Sequence, residues 1–210
     1  MTLLTPEQFA GFLAASLLIT ASPGPDNLLV LSIGASRGRT LGVAFGLGCG
    51  LGCLSHTLLA ALGVSALIAA SPWAFMGLKV AGGAYLIYMG FQALRSSGQI
   101  QLQSGAGATI SAASLFRKGL LANAINPKVV MFFLAFLPQF VLPERGNAPL
   151  QILQLGLIFT LQAALLFSLL GYFAGHVGGW LNRQASAGVW LDRIAGSVFI
   201  GLGLKLMFDF

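Results

Sequence analysis

Asp26 and Lys128 are the two residues whose types and surroundings ask for a chemical role. Asp26 lies in Ser22-Pro23-Gly24-Pro25-Asp26-Asn27, between the apolar runs FAGFLAASLLITA and LLVLSIGA. Lys128 lies in Asn126-Pro127-Lys128, ahead of VVMFFLAF. A charge at that depth in hydrocarbon costs roughly 2.5–3.5 kcal/mol on insertion scales. Proline lacks an N–H and clashes with the preceding turn, so Pro23, Pro25 and Pro127 open their helices. The freed backbone groups are tolerated only where they face protein or a water-filled cavity. Two broken helices bearing opposite charges at equivalent places therefore read as a binding site, and a zwitterion fits it. A half-helix beginning after Pro25 or Pro127 offers free N–H groups and a positive dipole end to a carboxylate. Asp26 attracts an ammonium group, and Asn27, Asn123 and Asn126 donate or accept beside it. The plainer reading is a structural Asp26–Lys128 ion pair. Apolar residues often serve stability as well as a buried pair does, which favours the functional reading.

The elements that hold these residues must cross a bilayer. The chain has 210 residues, 57% hydrophobic and 8% charged, where soluble domains carry about a quarter charged residues. Several apolar runs reach the roughly 20 residues a helix needs to span about 30 Å of hydrocarbon. No formally charged residue occurs from Thr40 to Leu78. Long continuous runs exclude a barrel built from short alternating strands. The expected fold is an all-α integral membrane protein with six transmembrane helices, near 7–34, 41–70, 74–94, 118–142, 150–179 and 189–208. The first and fourth are the broken ones. Ser71-Pro72-Trp73 makes a tight turn, with Trp73 suited to the headgroup belt. The N-terminus MTLLTPEQ lacks a basic n-region, so the first helix is expected to be retained rather than cleaved.

A repeat organises these segments. Lys79–Leu86 (KVAGGAYL) matches Arg193–Ile200 (RIAGSVFI) in character, and Ala21–Leu31 (ASPGPDNLLVL) lies against Asn123–Phe133 (NAINPKVVMFF), Pro25 facing Pro127. The chain is divided into a three-helix repeat at 1–95, a connecting loop at 96–116 rich in Ser, Gly, Gln and Ala, and a second repeat at 117–210. Three spans is an odd number, so the second repeat must enter the membrane inverted, as in transporters with a midplane site. With both termini outside, Arg37, Arg39, Arg95, Arg117, Lys118, Arg183 and Arg193 fall on the cytoplasmic side, against Arg145 alone in the outer loops. The positive-inside rule selects this orientation and puts the connecting loop in the cytoplasm.

Other features carry less. The net charge of +6 is scattered singly and builds no basic face, so nucleic acid is not an expected partner. Gly42, Gly46 and Gly50, with Gly48 and Gly52 between them, allow close helix approach, inside the fold or in a homodimer. Cys49, Cys53 and His56 share one helix side and could offer soft ligands to a metal such as zinc or cadmium. The plainer reading is small-residue packing around one hydrogen-bonded histidine. The two cysteines, on one helix, are not expected to form a disulfide. Lys79 and Arg193 can snorkel to headgroups, and Gln162 can bond across helices. No nucleophile–base set or carboxylate pair appears, so no enzyme, resident metal or cofactor is expected.

Taken together, SPGPDNLLVL, LKVAGGAYLIYMGFQAL and INPKVVMFFLAFLPQFV resemble the LysE/RhtB family of amino-acid exporters over essentially the whole chain. The resemblance implies a bacterial inner-membrane transporter that expels amino acids or close derivatives, powered by the proton gradient. Its motif residues are Pro23, Gly24, Pro25, Asn126, Pro127 and Lys128. Relatives of that family include heavy-metal exporters, so the Cys49/Cys53/His56 face supplies the alternative of metal or cation efflux. Proton antiport needs a titratable group; Asp26 is the first candidate and His56 the second, by its intrinsic pKa.

Overall fold

Side chains that accept from the first free N–H groups mark most helix starts. Thr5 and Gln8 form a reciprocal capping box, and Ser71, Ser111, Asn126 and Asn147 accept from the backbone N–H two or three residues ahead. Each such cap is worth about 1 kcal/mol. Proline stands at the first or second position of most of these helices, where its missing N–H costs nothing. The computed structural model describes residues 4–64, 71–96, 110–183 and 185–208, and every regular element among them is helical. The order is α1 (Pro6–Ala21), α2 (Pro25–Arg37), α3 (Arg39–Leu59), α4 (Pro72–Leu94), α5 (Ala112–Ala124), α6 (Pro127–Met131), α7 (Ala148–Tyr172), α8 (Ala174–Arg183) and α9 (Ala185–Phe208). A π-helical turn, Ala60–Val64, extends α3, and another, Phe132–Phe136, carries α6 into the 3-10 turn Leu137–Phe140.

Three stretches are long and apolar enough to cross a membrane: Arg39–Gly63, Trp73–Leu94 and Ala148–Tyr172. The bent pair of α5 and the segment Pro127–Phe140, with 49° between them, makes a fourth. This is a multi-pass membrane protein. Of the remaining helices, α2 carries Asp26 and Arg37, and α9 carries Asp192, Arg193 and Lys205.

Two expected boundaries move. The fourth segment begins at Ala112, inside the stretch read as the 96–116 loop, because Ser111 caps it and Leu115 is buried. The fifth, expected at 150–179, ends at Tyr172; α8 then turns back so that Ala174 packs on Leu31 of α2. The end of the second segment (65–70) and most of the connecting loop (97–109) fall outside the described residues.

Small residues set the packing, as they must where lipid is as apolar as the side chains. The faces of Gly42, Gly46 and Gly50 press on α7: a Cβ on Gly46 would lie 2.5 Å from the Phe167 carbonyl oxygen, and one on Gly50 2.3 Å from Ala164 Cα. Gly48 and Gly52 admit α5 on the neighbouring side, where a Cβ at Gly52 would lie 2.8 Å from Asn123 Cβ. The glycine stripe is thus used within the fold, and it brings Asn123 inward. α4 and α9 form an antiparallel pair through Gly83 with Gly203 and Gly90 with Gly196. Between α1, α6 and α7 lies an aromatic core in which Phe132 and Phe133 pack on Phe159, with ring centroids 5.0 and 4.9 Å away.

Candidate functional site

The site forms where two helices stop before proline. A residue preceding proline is barred from helical geometry. Ser22 (ψ 132°) accordingly ends α1 before Pro23, and Gly24 (φ −174°, ψ 177°) is extended before Pro25 opens α2. Asn126 (ψ 110°) does the same before Pro127, and its Oδ1 accepts from the Lys128 N–H at 3.0 Å.

The two breaks exchange partners. Lys128, on the second broken helix, donates from Nζ to the Ser22 carbonyl of the first at 2.8 Å. In return Asn123, just ahead of the second break, donates from Nδ2 to Asp26 Oδ2 at 2.8 Å. Asp26 and Lys128 are 2% and 4% exposed and line one cavity of about 10 Å³ with Thr20, Cys53 and Asn123. That is room for about one water. No ion pair within 4 Å joins the two charges among the described residues. The structural pair considered from the sequence is not what holds them.

Gly24 lies against the Lys128 ammonium. Its extended backbone suits any residue, but a Cβ there would lie 2.9 Å from Lys128 Nζ. On its other side the ammonium sits 5.7 Å from the Phe199 ring centroid, within cation–π range. An ammonium has three donors, and Ser22 O is its one hydrogen-bond acceptor among the described residues.

The asparagines also keep polar capacity in reserve. Asn27 donates to Thr20 O at 2.8 Å, while its Oδ1 is buried and unpaired. Asn126 Nδ2 and Gln162 Oε1 are likewise buried without partners. Buried polar atoms are nearly always satisfied, so three orphans around one pair of breaks are an anomaly that a polar ligand would resolve. Gln162 Nε2 donates across to Thr20 Oγ1 at 2.8 Å, which ties α7 to the rim of the small cavity.

Cys53 and His56 turn to Asn123. The thiol contacts its Oδ1 at 3.4 Å, and His56 Nε2 lies 3.0 Å from its carbonyl oxygen. No three His, Cys, Asp or Glu side chains converge as metal ligands among the described residues. Lys79 is buried at 7% exposure, contrary to the headgroup position expected from its sequence, because that face of α4 turns into the bundle. Arg193 is exposed and lies over Trp190.

A second cavity, of about 660 Å³, reaches the first break from one end of the bundle. Pro23, Gly24 and Pro25 form its inner part, and Ser96 of the α4 end and Gly188 of the α9 start also line it. Gln92, Asp192 and Phe199 line it too and were not singled out from the sequence. The signal available was the four- and seven-residue spacing of Gly188, Asp192 and Phe199, which puts them on one helix face. A glutamine pair links α1 to α7. Gln8 donates to Gln151 Oε1 at 3.0 Å, and Gln151 holds the α6–α7 connection through Leu142 and Gly146.

A family model described as LysE type translocator matches residues 17–209. An uncharacterised membrane protein of Pseudomonas aeruginosa is 34% identical over 189 residues, 88% of this chain and 87% of its own length. The homoserine/homoserine lactone efflux protein of Salmonella typhimurium is 33% identical over 205 residues, 97% of each chain. The threonine efflux protein of Escherichia coli is 32% identical over 194 residues, 89% of this chain and 90% of its own. No solved structure matches the chain.

Proposed function

The chain belongs to the LysE type translocator family, and from that premise we propose that it exports zwitterionic amino acids or close derivatives by alternating access. Members of this family are transporters, and this chain is one and not an enzyme. The observation that carries the substrate reading is the reciprocal exchange between the breaks, Lys128 to Ser22 and Asn123 to Asp26, with unpaired groups left beside it. An α-carboxylate is received by the spare donors of Lys128 and by Asn126 Nδ2. An α-ammonium group is received by Asp26 and Asn27 Oδ1.

On this reading six spans form two inverted repeats, 1–95 and 112–210, joined by the segment 96–111. The antiparallel pairing of α4 with α9 and of α3 with α7 supports that arrangement. With both termini outside the inner membrane, Arg37 and Arg95 lie in the cytoplasm. The large cavity then opens inward, and the Gln8–Gln151 contact closes the outer side. Substrate enters at Pro23–Pro25, the halves rock about it, and it leaves outward. Asp26, emptied of its ammonium partner, takes a proton from outside and carries it in; His56, bonded to the Asn123 carbonyl, is the second candidate carrier.

Everted membrane vesicles containing the protein test this directly. They should accumulate labelled homoserine or threonine when a proton gradient is imposed. Asp26→Asn and Lys128→Met should fall to background with normal amounts of inserted protein. Absence of uptake for every amino acid tried, or wild-type uptake in both variants, sinks the proposal.

A further inference from the structure

The small cavity holding Asp26 is closed, so a substrate in the large cavity cannot yet reach that carboxylate. Another acidic side chain stands in its way. Asp192 lines the large cavity, whose other walls are mainly Leu28, Leu29, Met89, Leu191 and Phe199. It is partly buried and forms no hydrogen bond or ion pair among the described residues. It offers this mainly apolar cavity an acidic acceptor with no partner among the described residues.

Three helix faces frame the space: Pro25 and Leu28 of α2, Met89 and Gln92 of α4, and Asp192 and Phe199 of α9. A volume of 660 Å³ falls within the range of small-molecule sites. Asp192 and Phe199 are seven residues apart, which is roughly 10 Å along the helix axis. Phe199 is the residue that covers Lys128. The two charged groups of an α-amino acid are separated by only two bonded carbons, a shorter reach than that axial rise, which favours contact with Asp192 and with Lys128 in sequence.

We infer that Asp192 is a loading residue, which receives the substrate's ammonium group in the cytoplasmic cavity before Lys128 takes the carboxylate. This rests on the export reading above. It gives the cavity a chemical preference: a free amine is required to enter it, and a carboxylate is not. Primary amines without a carboxylate, such as amino-acid methyl esters, therefore occupy the loading position and compete with substrate. N-acetylated amino acids do not.

The test measures uptake of labelled homoserine into everted vesicles across a concentration series. Asp192→Asn should raise KM by about tenfold, the loss of one charge-assisted contact, and leave the maximal rate nearly unchanged. Asp192→Glu should recover most of the affinity. In the unmutated protein the methyl ester should inhibit competitively and the N-acetyl compound should not, a measurement that does not depend on whether the variants fold. An unaltered KM in Asp192→Asn, a loss confined to the maximal rate, or no inhibition by the ester would overturn the loading role while leaving export standing. Failure of the unmutated protein to transport any amino acid would remove both.

Discussion

Asn123 donates to Asp26 at 2.8 Å from a position 97 residues later in the chain, and that bond joins the two broken helices. Asn123 is fully buried, and its remaining atoms are also engaged, with Cys53 at Oδ1 and His56 at the carbonyl. The bond gives the buried carboxylate a neutral donor from the other half of the chain.

Asn123→Ala should therefore disable export more than a typical polar truncation does. Leaving a buried acceptor without its donor costs about 1–3 kcal/mol, more when it is charged. We expect export to fall by at least about tenfold on that scale, with the protein still inserted. Asn123→Asp should be worse, since two carboxylates would then face each other in one closed cavity. Export at the unmutated rate in both variants would show that the Asn123–Asp26 bond has no part in transport.

Much of this site was legible in the sequence because proline and buried charge are costly. Pro23, Pro25 and Pro127 mark both breaks, and the helices start at Pro25 and Pro127. Asp26, Asn27, Asn123, Asn126 and Lys128 are all buried around those breaks. What pattern could not give was the pairing. Whether Lys128 meets Asp26 or the Ser22 carbonyl depends on a difference of a few ångströms in helix approach, set by glycines such as Gly24 and Gly52. The break after Tyr172 was hidden for a similar reason. The run from Ala148 onward is apolar past that point, and α8 leaves it because Ala174 finds a place on α2.

The α6–α7 connection rests on Gln151. Its Oε1 accepts from the Leu142 N–H and from Gln8, and its Nε2 donates to the carbonyls of Leu142 and Gly146. Gln151→Leu leaves several of these backbone groups unpaired, a loss of about 2 kcal/mol. For a chain of this size that corresponds to a Tm lower by roughly 4–8 °C. Thermal unfolding of detergent-solubilised protein measures it. Gln8→Leu, which removes one Gln151 contact, the bond to the Phe140 carbonyl and half of the α1 capping box, should also lower Tm. Equal Tm values for all three proteins would mean that this connection is held by something else.

The cysteines give a sharp test of cargo. Cys49 and Cys53 are fully buried, and Cys53 touches Asn123 only weakly, at 3.4 Å. A serine hydroxyl can make the same contact at Cys53, and alanine fits the Cys49 position. The double variant Cys49→Ala with Cys53→Ser should keep amino-acid export. Producing the unmutated protein should not raise tolerance to cadmium or zinc. Metal tolerance that appears with the protein and vanishes with the cysteines would instead favour metal efflux.

Gly24 and Lys128 should prove coupled. The extended backbone at Gly24 accepts alanine without strain, so any penalty of Gly24→Ala must come from its Cβ, 2.9 Å from Lys128 Nζ. The ammonium would have to leave the Ser22 carbonyl and the Phe199 ring to make room. In the Lys128→Ala background there is no ammonium to displace, and the same substitution should cost nothing. Because export is expected to be lost in that background, the cycle is read from thermal stability. Contacting residues show interaction energies of about 0.5–3 kcal/mol, whereas independent sites add within about 0.5 kcal/mol. A coupling in the first range, with the penalty confined to the chain that keeps Lys128, is the expected result. Additive effects would mean that the ammonium does not rest against Gly24, and the reciprocal exchange between the two breaks would lose its first half.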